Sequence, residues 1–181
     1  MSIDTNPFNK SIKARDFIFL AFLLSLILIS ACQYPNNKHD SYQHADPQAV
    51  SIIKIIDGDS LMVRSENKNI EVRLHGIDAP ELWQTYGKTA KSALSKISLN
   101  QSFNMTIKAI DRYKRKVVIL ENPEINLNEE LIRNGHAWVY TQYTSNQEWI
   151  KLEKVAKTKK LGLWKNANAI APWEWRKKKS N

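Results

Sequence analysis

The stretch from Ile56 to Glu81 sets two acids, an arginine and a third acid close together in the chain. It reads Ile56-Asp57-Gly58-Asp59-Ser60 and then Arg73-Leu74-His75-Gly76-Ile77-Asp78-Ala79-Pro80-Glu81. Asp59 and Asp78 offer hard oxygen ligands to a divalent cation, and the Ala79 carbonyl can add a third oxygen. Arg73 offers a planar fork that matches two phosphate oxygens at once. Glu81, three residues past Asp78, is placed to handle a water. A second arginine, Arg115 in Asp111-Arg112-Tyr113-Lys114-Arg115, completes a set of parts suited to cutting a phosphodiester.

Each residue also has a plainer explanation. Asp57-Gly58 alone signals a hairpin turn. Asp59 could be a turn partner, and Asp78 an Asx-turn acid with Pro80 holding Ala79 extended. Arg73 and Arg115 could be surface cations. The combination outweighs these, because a hairpin can bring Asp59 and Asp78 together. His75 lies one alternation beyond Arg73 but reads as an exposed strand histidine. A histidine-pair ribonuclease is disfavoured, since His39 and His44 fall in a polar tether. Trp138, Tyr140 and Tyr143 read as core and edge aromatics, whereas Tyr113 beside Arg115 is the better base-stacking candidate.

The elements that must position these groups are short. Val50 to Ile56 is rich in β-branched residues and stops at Asp-Gly, a strand ending in a turn. Leu61–Arg64 and Ile70–Leu74 follow as strands, then Met105–Ile110 and Lys116–Leu120 around the Asp111–Arg115 turn. Ala90, Ala93, Leu94 and Ile97 have helical spacing within Gly87–Ser98. Asn126 with Glu129, and Ser145 with Glu148, resemble capping boxes that open two further helices, with Gly135 and Gly162 to close them. Five strands interleaved with three helices predict one α+β domain. The basic end Arg176-Lys177-Lys178-Lys179 is expected to be disordered.

The chain has 181 residues, with 27 Lys and Arg against 18 Asp and Glu, a formal charge of +9 and a pI near 9.6. Such a surplus attracts polyanions, nucleic acid first and anionic membrane second. Lys10, Lys13 and Arg15 precede an uncharged run from Phe17 to Ile29 and then Ser30-Ala31-Cys32. That order is an export signal, and its apolar core is shorter than the ~20 residues of a spanning helix. Ile29-Ser30-Ala31-Cys32 resembles the bacterial lipobox, which implies cleavage before Cys32 and lipidation of its thiol. Cys32 is the only cysteine, so no intrachain disulfide can form. Removing residues 1–31 takes away three cations and two acids, so the remainder keeps +8. The expected organisation is a lipoprotein signal over 1–31, a flexible tether over 32–48, the folded domain over 49–176 and a basic tail over 177–181. The expected location is outside the cytoplasmic membrane or in the outer membrane, with release conceivable. Gln33 after the cysteine, by analogy with known lipoproteins, favours the outer membrane where a cell has two.

In this order, Ile56–Ser60, Arg73–Glu81, Tyr86-Gly87-Lys88, Asp111–Arg115, Asn128–Gly135 and Leu161-Gly162-Leu163-Trp164 resemble the staphylococcal (micrococcal) nuclease, or thermonuclease, family. The resemblance covers about Val50 to Arg176. It implies a five-stranded OB-like β-barrel with three helices, in agreement with the elements above. It also implies Ca²⁺ at Asp59, Asp78 and the Ala79 carbonyl, phosphate held by Arg73 and Arg115, Glu81 as candidate base, and 3′-phosphate products. Lys114 stands where the family usually has glycine, so the turn that aims Arg115 is open to change and Lys114 could itself reach the phosphate. The segment from Glu81 to Tyr86 is shorter than in the best-known member.

The expected activity is Ca²⁺-dependent hydrolysis of DNA and RNA by a monomer, with Tyr113 and Lys114 touching substrate. A two-carboxylate site should bind Ca²⁺ weakly, in the ~10⁻⁴–10⁻³ M range, and so fill outside the cytosol. The rival is a weak or inactive nucleic-acid-binding module on the same barrel. It predicts the loss of an acid or arginine from the set, and none is lost.

Overall fold

Alternating apolar side chains turn one face of each strand inwards. Leu61 and Val63, Val72 and Leu74, Phe103 and Met105, Val118 and Leu120 are all buried at a spacing of two. The computed structural model describes residues 47–180 except residue 99. The expected signal, Cys32 and nearly all of the tether therefore lie outside the described residues. Gln48, the last tether position, already pairs with Met105.

Five strands close into a barrel in the order β1 (Gln48–Ile55), β2 (Ser60–Ser65), β3 (Lys68–Leu74), β6 (Lys116–Glu121) and β5 (Ser102–Ile110). All pairings are antiparallel except β3 with β6. A separate two-stranded piece joins β4 (Ile77–Asp78) to β7 (Trp138–Val139), setting Asp78 against Trp138. This is the α+β, OB-like barrel that the sequence predicts.

Helix α1 (Gly87–Ser98) buries Ala90, Ala93 and Leu94. Helix α2 (Leu127–Arg133) buries Leu127, Leu131 and Ile132 in the same core. The Asn126 side chain caps α2 by accepting from the Glu129 amide at 3.1 Å. Gly135 ends it at φ +69°, with its own amide on Ile132 and the His136 amide on Leu131, a paired closing bond set.

Helix α3 (Gln147–Thr158) departs from expectation at both ends. Asn146, not Ser145, is the cap, accepting from the amides of Glu148 and Trp149. Lys160, not Gly162, takes the left-handed closing position at φ +52°. Gly162 serves close packing instead, because a Cβ there would collide with the Gly135 carbonyl oxygen.

The basic end is corrected more substantially. Residues 172–180 form a fourth helix, α4 (Pro172–Ser180), so Arg176–Lys179 is helical rather than a disordered tail. Trp173 docks it, lying parallel to Tyr140 with ring centroids 5.1 Å apart and edge-on to Trp138 at 5.7 Å. Aromatic contacts of this kind add about 0.5–1.5 kcal/mol each beyond area burial. An apolar anchor three residues before the basic run is what a reading by composition overlooks.

Candidate active site

Asp57 builds the turn that delivers Asp59. Its Oδ1 accepts from the amides of Asp59 at 3.0 Å and Ser60 at 2.7 Å, an Asx turn at the mouth of β2. Gly58 is required by space, since a Cβ would stand 2.7 Å from that of Ala79 and 2.9 Å from that of Ala90. The backbone therefore presses against the segment after Asp78, and Asp59 and Asp78 face each other at 3% and 0% exposure.

Arg73 lies between them, placed opposite Ser60 in the β2–β3 register. It donates through Nη1 to Asp59 Oδ1 at 2.8 Å and through Nη2 to Asp78 Oδ1 at 2.7 Å. The other oxygen of Asp59 accepts from the Ala79 amide at 2.7 Å. Burial nevertheless pushes the Asp59 carboxyl up to about 7, against the pull of Arg73 and with Asp57 and Asp78 adding repulsion. Burial works against the charge of Arg73 too, but Asp59 and Asp78 outweigh it and hold the guanidinium above its ordinary value.

Arg115 reaches the same rim from the β5–β6 turn. Asp111 accepts from the amides of Tyr113 and Arg115, both at 2.9 Å, and from Arg115 Nε at 2.8 Å. These bonds outweigh the effect of burial and hold Asp111 below the usual carboxylate range. Arg115 Nη1 lies 3.4 Å from Ser60 Oγ and 3.8 Å from Glu71. Lys114 adopts the glycine conformation of this turn, with φ +66° and an exposed side chain, so the turn survives the substitution. Tyr113 is exposed, its ring beside the guanidinium carbons of Arg112 at 4.8 Å and Arg115 at 5.5 Å.

Glu81 opens a tight loop. Its carbonyl accepts from the Gln84 amide, and Gln84 bonds back to the Glu81 amide and on to the Ile170 carbonyl. A Cβ on Gly87 would collide with the Glu81 carbonyl oxygen, and Tyr86 takes φ +75° to make the bend. The short segment after Glu81 is thus fully used in fixing where that residue stands.

Sequence reasoning missed Arg176. From α4 it donates to both carboxylate oxygens of Asp78, at 3.1 and 2.7 Å, and to Glu81 Oε1 at 2.8 Å. Burial opposes its charge, but the bonds to Asp78 and Glu81 prevail and raise it above the ordinary guanidinium value. Ser60 was also overlooked as a link, its hydroxyl 3.1 Å from Asp59 Oδ1. One bonded chain then runs Arg115, Ser60, Asp59, Arg73, Asp78, Arg176, Glu81. His75 stays outside it, its main chain tied to Val118 and Asn128 and its ring lowered by burial and by Lys108.

The donors that could hold a metal are hard oxygens. Among the described residues no three His, Cys, Asp or Glu side chains form a metal cage. A cation here would rest on Asp59, Asp78 and main-chain oxygen. Burial is the main cause of the raised Asp59 carboxyl, and its oxygens are of the hard type that a dication takes.

The site is a closed barrel bearing paired acids and three guanidinium groups on its rim. The family model described as staphylococcal nuclease homologue matches residues 71–166, more than half of the chain. An uncharacterized endonuclease of Haemophilus influenzae (strain ATCC 51907 / DSM 11121 / KW20 / Rd) is 32% identical over 164 residues, 90% of this chain and 86% of that one. A micrococcal nuclease of Shigella flexneri is 33% identical over 141 residues, covering 72% and 81%. A probable staphylococcal-like nuclease of Oryza sativa subsp. japonica is 40% identical over 114 residues, 63% of this chain but 34% of its own length. The chain belongs to the staphylococcal nuclease homologue family.

Proposed function

We propose that this protein hydrolyses phosphodiester bonds of DNA and RNA outside the cytoplasm, with Ca²⁺ as its cofactor. The observation that carries the reading is the bonded chain from Arg115 to Glu81, which gathers three guanidinium groups, two buried acids and a further carboxylate at one rim. The names of the Haemophilus and Shigella relatives support nucleic acid as substrate.

Ca²⁺ held by Asp59, Asp78 and the Ala79 carbonyl would supply fixed positive charge to a phosphoryl oxygen. Arg73 and Arg115 offer guanidinium charge where the phosphate gains charge in transit. Glu81, steadied by Arg176, orients or deprotonates the attacking water. A water nucleophile makes the 2′-hydroxyl unnecessary, so discrimination between DNA and RNA should be poor. Resemblance to the family supports 3′-phosphate products. The Ile29–Cys32 segment supports anchoring through lipidated Cys32, facing outwards.

The test is digestion of plasmid and RNA by the full-length chain at ~1 mM Ca²⁺ and with EGTA. Cleavage should vanish with the chelator, and Asp59→Ala or Asp78→Ala should remove most of it. Equal cleavage in both conditions overturns the Ca²⁺ assignment. Binding without cleavage by the wild type, at saturating Ca²⁺, selects the non-hydrolytic module instead. For the anchor, Cys32→Ser should abolish acyl labelling in a bacterial host, and an unlabelled wild type refutes it.

A further inference from the structure

Two guanidinium groups share Asp78, and they are not held alike. Arg73 donates to its Oδ1 from strand β3, is bound to Asp59 as well, and has a side chain 21% exposed. Arg176 donates to both oxygens, at 3.1 and 2.7 Å, from a side chain 40% exposed on the nine-residue helix α4. Pro172 is buried, and Trp173 seats the start of that helix on Tyr140 and Trp138. One turn further on, Arg176 ties the helix to Asp78 and Glu81. Beyond it Lys177 and Lys179 are exposed and pair within the helix, with Glu174 and over the Trp175 ring. Rings therefore anchor the start of α4, and ions hold its middle to the rim. The helix and the loop after Glu81 flank a groove of about 970 Å³, with Trp175 on its wall.

We infer that Asp78 exchanges Arg176 for the dication: the guanidinium withdraws to Glu81 alone, and the end of helix α4 loosens from the rim as the ion enters. The inference rests on the Ca²⁺ reading for the identity of the ion and on the Arg176 contacts for the rest. Ca²⁺ binds a carboxylate oxygen at about 2.3–2.6 Å. Arg176 Nη2 stands 2.7 Å from Asp78 Oδ2, so ion and guanidinium would crowd one oxygen with like charge. Arg73 is the harder partner to displace, being fixed in the barrel and bonded to two acids. Arg176 needs only the later part of a short helix to shift, while Trp173 keeps the start in place. Its Nη1 bond to Glu81, at 2.8 Å, is shorter than its 3.1 Å bond to Asp78, and Glu81 is half-exposed and able to follow. The helix also carries Arg176, Lys177, Lys178 and Lys179 against Glu174, so its own charge opposes a dication close by. Helix α4 is then a strap that holds Ca²⁺ binding down, and the ion in turn weakens the strap. Arg176 and the whole of α4 lie beyond residues 71–166, so the device is built outside the segment matched by the family model.

The experiment follows backbone hydrogen exchange of the full-length protein by mass spectrometry, with Ca²⁺ and with EGTA, beside calorimetric titration with Ca²⁺. Exchange over residues 176–180 should quicken roughly fivefold at saturating Ca²⁺, matching a roughly fivefold tighter binding of Ca²⁺ by Arg176→Gln, because coupling between two sites acts equally in both directions. An ion that merely stiffened the rim would slow exchange there, so the direction of the change decides. In Arg176→Gln the helix end should exchange fast with or without Ca²⁺. Arg176→Lys, which keeps the charge and loses the fork, should fall between wild type and Gln. Slowed or unchanged exchange over α4 in a wild type that binds Ca²⁺ overturns the inference and leaves the Ca²⁺ reading standing. Equal quickening by Ca²⁺ in Arg176→Gln does the same. Calcium binding seen in the variant and not in the wild type supports the strap, and no binding in either overturns the strap and the Ca²⁺ reading together.

Discussion

Arg176 and Asp78 form a two-point ion pair across 98 positions of sequence, Nη1 to Oδ1 at 3.1 Å and Nη2 to Oδ2 at 2.7 Å. Asp78 also accepts from Arg73, so this buried acid sits between two guanidinium groups. A dication and Arg176 would compete for the same oxygens.

Arg176→Gln removes a competing cation while keeping a polar side chain. We expect Ca²⁺ to bind roughly fivefold tighter, in line with the ~0.2–1 kcal/mol of a partly exposed ion pair. Titration calorimetry with Ca²⁺ alone reads this directly. Unchanged or weaker binding would show that Arg176 does not contest the cation. Turnover is expected to fall nonetheless, because Glu81 loses the bond that steadies it.

At the β5–β6 turn, Lys114 bears a left-handed conformation that costs an L-residue roughly 1–2 kcal/mol. Lys114→Gly should stabilise the fold by up to about 1 kcal/mol after the entropy of glycine in the unfolded chain is counted, raising Tm a few degrees. Activity should hold or rise. Arg115→Lys keeps the charge but loses the fork, and kcat should drop roughly 10²-fold with KM far less affected. An active Arg115→Lys beside a dead Lys114→Gly would transfer the phosphate-binding role to Lys114.

His136 supplies a pH dependence of stability. Burial lowers it, Glu130 offsets this in part, and its Nδ1 lies 2.9 Å from the Tyr86 hydroxyl. The folded chain therefore resists a proton that the unfolded chain accepts at about pH 6.5. Stability is whole above that value and declines as pH falls from it towards the lowered folded value, where the loss levels off. Melting curves from about pH 7.5 to 5 should show less loss of stability on acidification in His136→Asn than in the wild type, while the raised Asp59 acts in the opposite sense in both. His75, also lowered, keeps some slope in that variant. An identical slope in wild type and variant would clear His136 of the effect.

Asn128 is fully buried, with its amide nitrogen donating to the carbonyls of His75 at 2.9 Å and Val118 at 3.2 Å and its oxygen accepting from Leu120. It ties the end of β3 to β6 from the first turn of α2. Asn128→Ala strands these groups and should cost about 2–4 kcal/mol in denaturant unfolding. A cost below about 0.5 kcal/mol would mean that water replaces the side chain without penalty.

The barrel was legible because alternation at Leu61, Val63, Val72 and Leu74 writes the strand period directly into the chain. Asp59 and Arg73 were legible together because they sit at the open end of one hairpin, and Asp78 because it follows Arg73 by five residues, although it lies in the separate β4–β7 piece. The opening caps were legible to within a residue, since Ser145 and Asn146 can each accept from the next turn, whereas the close of α3 falls at Lys160, two residues before Gly162. Arg176 was not legible. Its neighbours are lysines, and nothing local tells the cation held by Asp78 from those that face solvent. What distinguishes it is Trp173, whose seat on Tyr140 sets where the helix lies and hence where the next turn points.

The 98-residue reach of Arg176 also bears on the order in which the molecule is made. A chain synthesised from its amino end presents Asp59, Arg73 and Asp78 while helix α4 is still to come. During that interval Asp78 and Glu81 lack this partner, and the wall holding Trp175 is missing. Helix α4 emerges after every other described element and finishes the rim, and a chain truncated before Pro172 lacks that final contact.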